Sequence, residues 1–145
     1  MIALNHRAAA KFAAAIIQAK NLGNVVSDLA KAVTQVPKEV SEDQETVHIQ
    51  NILLYGECGA LIDQSGNAGI VDTIHELFKI NNSKVRQAGA IALGDITVGN
   101  TTFFLAKVLS QMQVATQTIE KQMFLITLKE IIINNPNCLN QAQLD

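Results

Sequence analysis

Apolar residues recur at intervals of three and four along most of this chain, and short polar joints interrupt them. That rhythm predicts helices over 4–20, 23–36, 43–62, 68–80, 83–98, 101–114 and 117–134, followed by a polar tail at 135–145. In the first of these, Leu4, Ala8, Phe12, Ile16 and Ala19 form a stripe at helical spacing, the pattern of a buried face. The joint PKEVSED (37–43) shows how one helix gives way to the next. Pro37 stops the preceding helix, and Ser41 with Gln44 three residues on makes a capping-box pattern. Ser41-Glu42-Asp43 would also suit an acid-directed kinase, but the cap explains the position without invoking a partner.

The helical pattern repeats at a longer period. LLYGEC (53–58), IALGDI (91–96) and ITLKEI (126–131) superpose with steps of 38 and 35 residues. Glu57, Asp95 and Glu130 then form one column, and Cys58, Ile96 and Ile131 the next. Gly66-Asn67 and Gly99-Asn100 follow the first two copies as helix stops and restarts. A helix pair recurring every 35 to 40 residues is the signature of an α-solenoid of the HEAT or armadillo kind. The expected fold is therefore an all-α superhelix of about three to three-and-a-half helix pairs, read as one segment over 1–145.

The stretch KVRQAGAIALGDITVGN (84–100) tests that reading, because its glycines recur every five residues as in a phosphate-binding loop. A Walker loop requires lysine after its last glycine, whereas Gly94 is followed by Asp95, which would repel a phosphate. Neither the spacing nor any β-rich segment suits a dinucleotide fingerprint. On a helical wheel, Val85, Gly89, Ala92 and Ile96 share one side, with Ala88 and Gly99 beside them. Leu93, Ile91 and Val98 widen the apolar surface, leaving only Arg86, Gln87, Ala90, Gly94 and Thr97 for water. Such a helix is packed on several sides. Gly89 and Gly99 become its close-packing positions, while Gly94 shares a column with Lys129 and need not be glycine.

Composition narrows the function classes. Aromatics make up 4% of the chain and tryptophan is absent, so the core is Ala, Ile, Leu and Val, suited to helix-on-helix packing. The 11 basic and 13 acidic side chains give a net charge of −2, which offers no footprint for nucleic acid or anionic lipid. No run approaches the roughly 20 apolar residues of a membrane span. Cys58 and Cys138 form no C-x-x-C pair and read as thiols of a reducing compartment, the cytoplasm or nucleus. The sequons at Asn81 and Asn100 matter only in a secreted protein. Residues 1–20 are alanine-rich and acid-free, as in a mitochondrial presequence. Their uninterrupted apolar stripe favours a structural first helix instead.

No residue declares itself catalytic or metal-binding, and no cofactor is expected. His6, His48 and His75 are far apart, lack zinc-site spacing and read as surface or half-buried helix residues. Cys58 shares its column with isoleucines and reads as a small core residue. Glu57, Asp95 and Glu130 could face a basic partner, or hydrogen-bond neighbouring helices. Arg86 stands second in the run V-R-Q-A-G-A-I-A-L-G (85–94), which resembles HEAT second helices, and that resemblance implies an arginine bonded within the repeat array.

Three longer runs narrow the class further: LLYGECGALIDQSGNAGIVDTIHELF (53–78), SKVRQAGAIALGDITVGN (83–100) and KQMFLITLKEII (121–132). The specific pieces are G-E-x-G-x-x-I-D-x-S-G, carried by Gly56, Glu57, Gly59, Ile62, Asp63, Ser65 and Gly66; A-L-G-x-I-x-V-G-N at 92–100; and L-K-E-I-I at 128–132. Together they resemble the carboxy-terminal half of the cullin-associated, neddylation-dissociated (CAND) family, over about residues 44–134. The resemblance implies a HEAT solenoid without enzymatic activity that binds the cullin–RING ubiquitin ligase core and promotes exchange of substrate-adaptor modules. It supplies no contact residues, so the partner-binding residues stay unassigned. The alternative is a HEAT adaptor of the nuclear-transport or phosphatase-scaffold type with no cullin role. A third reading, a small enzyme or nucleotide binder, loses its motif with the phosphate loop. The repeat pattern also leaves both ends uncapped, with Ile16-Ile17 at one and Ile131-Ile132-Ile133 at the other, which predicts self-association.

Overall fold

The structure is a computed structural model that describes residues 4–138. Seven α-helices account for most of them: α1 (Leu4–Ala19), α2 (Gly23–Thr34), α3 (Glu42–Leu61), α4 (Ile70–Leu77), α5 (Ser83–Gly99), α6 (Thr101–Val114) and α7 (Thr118–Asn134). One 3-10 turn, Ser65–Asn67, stands between α3 and α4. The odd-numbered helices form one row, in which α3 lies against α1 and α5, and α5 against α7. The second row is α2, α4 and α6, each packed on the following odd helix. Two layers built from successive antiparallel pairs are the arrangement of an α-solenoid. The chain is thus an all-α, HEAT-like segment of three helix pairs preceded by the single helix α1.

Local chemistry explains the helix ends. Asn82 and Asn100 stand at the N-caps of α5 and α6, accepting from the backbone N–H groups of Val85 (3.0 Å) and Phe103 (3.2 Å). Ser41 does occupy the N-cap of α3 in extended conformation, but its side chain makes no cap bond, so the expected capping box does not form there. The reciprocal arrangement appears instead at α7, where the Gln117 N–H donates to Glu120 at 2.9 Å. Helix α4 begins at Ile70 rather than 68, after the 3-10 turn, and ends at Leu77. Phe78 and Ile80 continue as a turn with both side chains buried. Within the expected polar tail, Cys138 is buried and its N–H donates to Asn135 O; residues 139–145 lie outside the described part.

Helix α5 sits at the centre, and every residue from Ala88 to Thr97 is buried. The sector left for water on the wheel is therefore partly wrong. Ala90, Gly94 and Thr97 are all buried; α7 covers the first two, its Thr127 hydroxyl donating to Ala90 O at 2.9 Å, and the Thr97 hydroxyl donates to Leu93 O at 2.7 Å. A Cβ at Gly94 would lie 2.6 Å from Glu130 Cβ and 3.1 Å from Thr127 O, so this glycine is a close-packing residue after all. At Gly89 the nearest atoms, in Leu77, would be 3.5 Å away, which is ordinary contact. On the α3 side, a Cβ at Gly56 would meet Ala92 Cα at 2.5 Å, and one at Gly59 would meet Ile96 at 2.6 Å. Glycine on α3 and α5 lets the odd helices approach to backbone contact.

The first helix also departs from its sequence pattern. Ala10, Ala14 and Ile17 are buried, whereas Leu4 and Phe12 are 84% and 72% exposed and Ile16 is exposed beside them. The apolar stripe points outward. Helix α1 presents alanines, Arg7 and Lys11 to the rest of the molecule instead, because the surface beneath it is acidic.

Candidate interaction surface

The repeat motif itself is spent on packing. In the G-E-x-G-x-x-I-D-x-S-G run, Gly56 and Gly59 seat α5, while Asp63 accepts from the Ser65 N–H (2.9 Å) and Ser65 hydroxyl (3.0 Å). Asn100 Nδ2 also donates to Asp63, at 3.1 Å. These bonds, from the Ser65 backbone first and Asn100 next, hold the exposed Asp63 carboxyl below its usual range. The other capping asparagine repeats the device: Asn82 Nδ2 donates to Glu45 at 2.8 Å. One repeat further, Asn135 Nδ2 donates to the Thr101 hydroxyl at 3.2 Å. Each asparagine ties its helix junction to the preceding repeat. Arg86 donates to Ile80 O at 2.7 Å, inside the array as its pattern implies.

The acidic column is the feature with chemistry left over. Glu57, Asp95 and Glu130, on α3, α5 and α7, are all buried. Arg7 of α1 reaches Glu130 at 3.0 Å, and Lys11, one helical turn on, reaches Glu57 at 3.3 Å. Two side chains of α1, which packs on α3, thus reach acids on α3 and α7. Asp95 lies between the two ion pairs, only 4% exposed, and its Oδ2 has no hydrogen-bond partner. Burial pushes the Asp95 carboxyl up to about 8; the charges of Glu57 and Glu130 push the same way, and Lys11 and Arg7 pull it down. The proposed hydrogen bond from this acid to a neighbouring helix is absent. Beside the Arg7–Glu130 pair opens a cleft of about 550 Å³, lined by Leu4, Gln87, Ile91 and Ile126 among others.

A second polar cluster lies in the other layer. His75 is buried, contrary to the surface reading, and its two ring nitrogens contact Gln111 Oε1 (2.9 Å) and Glu120 Oε1 (2.8 Å). Its ring meets Phe124 edge-on with centroids 5.0 Å apart, and Gln111 in turn donates to Asp72. Residues of α4, α6 and α7 are thereby joined. His6 and His48 are half-buried, as expected, and take no part. Cys58 is fully buried in the core, and burial, helped by the Glu57 charge, pushes its thiol up to about 11, which keeps it protonated and unreactive at neutral pH. No group of three or more His, Cys, Asp or Glu side chains suited to a metal ion occurs among the described residues. No helix among them is long and apolar enough to cross a membrane.

Sequence reasoning found the acids but missed what covers them. The only signal was the pair Arg7 and Lys11, four residues apart in an acid-free helix, which places two positive charges on one face. Gln111 and Glu120 lie 36 and 45 residues beyond His75, so their meeting left no local signal.

Two rows of antiparallel helices, glycine-seated contacts and a recurring acid column define the protein as a HEAT-type repeat segment. Among known proteins, it is similar to the "Cullin-associated NEDD8-dissociated protein 1" of Dictyostelium discoideum, at 29% identity over 94 residues. It is similar to the protein of the same name from Arabidopsis thaliana at 30% identity over 107 residues. These matches cover 65% and 74% of this chain, but only 7% and 9% of the relatives. No family profile matches the chain, and no solved structure does. The chain is a divergent counterpart of one segment of the cullin-associated, NEDD8-dissociated family.

Proposed function

We propose that this chain is a non-enzymatic scaffold segment that contributes to binding a cullin–RING ubiquitin ligase core and to exchange of its substrate-adaptor modules. The aligned similarity to two cullin-associated proteins carries the reading. The structure supports it in that the shared motif residues build and join repeats: Gly56 and Gly59 set the helix spacing, and Asp63 with Asn100 locks a junction. A repeat array of this kind works by presenting surface to a partner rather than by holding a reacting group. Because the chain spans less than a tenth of its relatives, its share of the activity is a contribution to binding. The reading places it in the cytoplasm or nucleus, with Cys58 and Cys138 as unpaired buried thiols.

Capture on immobilised cullin–RING cores, with and without the ubiquitin-like modifier, tests this. Retention on the unmodified core, reduced on the modified one, is expected. Equal failure to bind either form, by this chain and by a version extended at both ends, would overturn the cullin assignment and leave a generic HEAT adaptor.

A further inference from the structure

We propose that the outward face of α1 is a self-recognition surface, which pairs with α1 of a second copy of this chain, antiparallel about a twofold axis, to close a dimer. On the helical wheel, the side opposite the buried Ala10, Ala14 and Ile17 holds Leu4, Asn5, Ala8, Phe12, Ala15 and Ile16. All six are exposed and none is charged. The two bases on the flank, Arg7 and Lys11, are held by Glu130 and Glu57 of the same chain. The face is therefore apolar and neutral, and a partner that brought a charge to it would lose hydration without gaining an ion pair. It is also preformed. The ion pairs fix one end of α1, and Gln18 Nε2 donates to Leu61 O at 3.3 Å at the other, so pairing costs little ordering.

What points to a second copy is the order of sizes. Leu4, Ala8, Phe12 and Ile16 follow one another at four-residue steps, the ridge through which helices most often interlock. Turned end to end about residue 10, this ridge falls on itself, with Leu4 opposite Ile16 and Ala8 opposite Phe12. Each Phe12 ring then lies over the Ala8 methyl of the other copy, and branched aliphatic side chains close both ends. A twofold axis makes the same match twice. The outward face of α7 offers no such fit. Its own four-residue ridge reads Lys121, Leu125, Lys129 and Ile133, all exposed, so seating α1 of another copy there would set apolar side chains on two ammonium groups. One helix face is smaller than a standard interface of roughly 800 Å² per partner, so the dimer is weak and forms with rising concentration.

Sedimentation equilibrium of the full chain carrying Leu125→Glu and Ile133→Glu, which silences the α7 face, tests this without any cullin. The mass is expected to rise with concentration and to level off at twice that of the chain. Adding Phe12→Glu should weaken the dimer at least about tenfold; Phe12 is 72% exposed, so the fold survives the change, and cooperative melting checks that. The register has its own test. Phe12→Ala or Ala8→Phe alone should weaken pairing, whereas the two together exchange large and small across the axis and should restore most of it. A constant monomer mass would overturn the proposal and leave a helix of a further repeat as the occupant of this face. Growth past the dimer, a dimer indifferent to Phe12→Glu, or a double exchange no tighter than its single variants would overturn it as well.

Discussion

At the scale of single residues, the glycines and one aspartate carry the sharpest consequences. Gly94 and Gly89 lie in one helix at the same five-residue rhythm, yet their surroundings differ. Gly94→Ala drives a methyl into Glu130 and Thr127, and overpacking of this sort costs about 1–3 kcal/mol. Gly89→Ala meets Leu77 at ordinary contact distance, so the better helix propensity should stabilise by up to about 1 kcal/mol. Urea denaturation of the two variants should shift their midpoints in opposite directions. Asp95 makes stability depend on pH. An unfolded aspartate titrates near 4, while the buried one titrates at about 8. The folded chain therefore holds a proton that the unfolded chain lacks between those values, and this contribution is complete below about 4 and lost as pH rises through 8. Each pKa unit corresponds to about 1.4 kcal/mol, so stability should fall measurably from pH 5 to pH 8. Asp95→Asn should flatten that slope and make the variant the more stable protein at pH 8. An unchanged slope in chemical denaturation would contradict the buried placement.

At the scale of elements, charge and close packing overrode the apolar pattern in one helix and built an unexpected joint in another layer. Periodicity assigns Leu4, Phe12 and Ile16 to the core side of α1; the molecule instead turns Arg7, Ala10, Lys11 and Ala14 inward over the acids. The pattern marked a helix but could not say which face the neighbour would accept. His75 shows the converse case. It is the one polar residue on the buried side of α4, among Ile70, Val71, Ile74 and Leu77, and its value lies in reaching Gln111 on α6 and Glu120 at the start of α7. His75→Ala removes both contacts and the edge-on packing with Phe124, leaving the buried Glu120 short of a partner. A loss of about 2–4 kcal/mol is expected from the cavity and the unmet carboxylate together. Hydrogen exchange should accelerate first in α4 and α6; a uniform change across all helices would argue against a local joint.

At the scale of the whole molecule, both terminal helices of the odd row present apolar residues outward. Leu4, Phe12 and Ile16 stand on α1, and Leu125, Ile132 and Ile133 on α7. Solenoid units bury such faces against the next repeat. The isolated chain should consequently associate as its concentration rises, and Leu125→Glu with Ile133→Glu should shift sedimentation back toward the monomer. A single species of constant mass across the concentration range would contradict this. The sequence by itself determined the helices, their pairing period, the acid column and the family likeness, because 3.6-residue periodicity, capping residues and repeated motifs are local or regularly spaced. Only the tertiary structure decided that Gly94 rather than Gly89 is the tight position, that α1 faces inward with its charges, that His75 joins three helices and that Asp95 is enclosed without a partner. Those facts depend on which residues from distant repeats meet at one point, and side-chain spacing along a single helix carries no information about its neighbours.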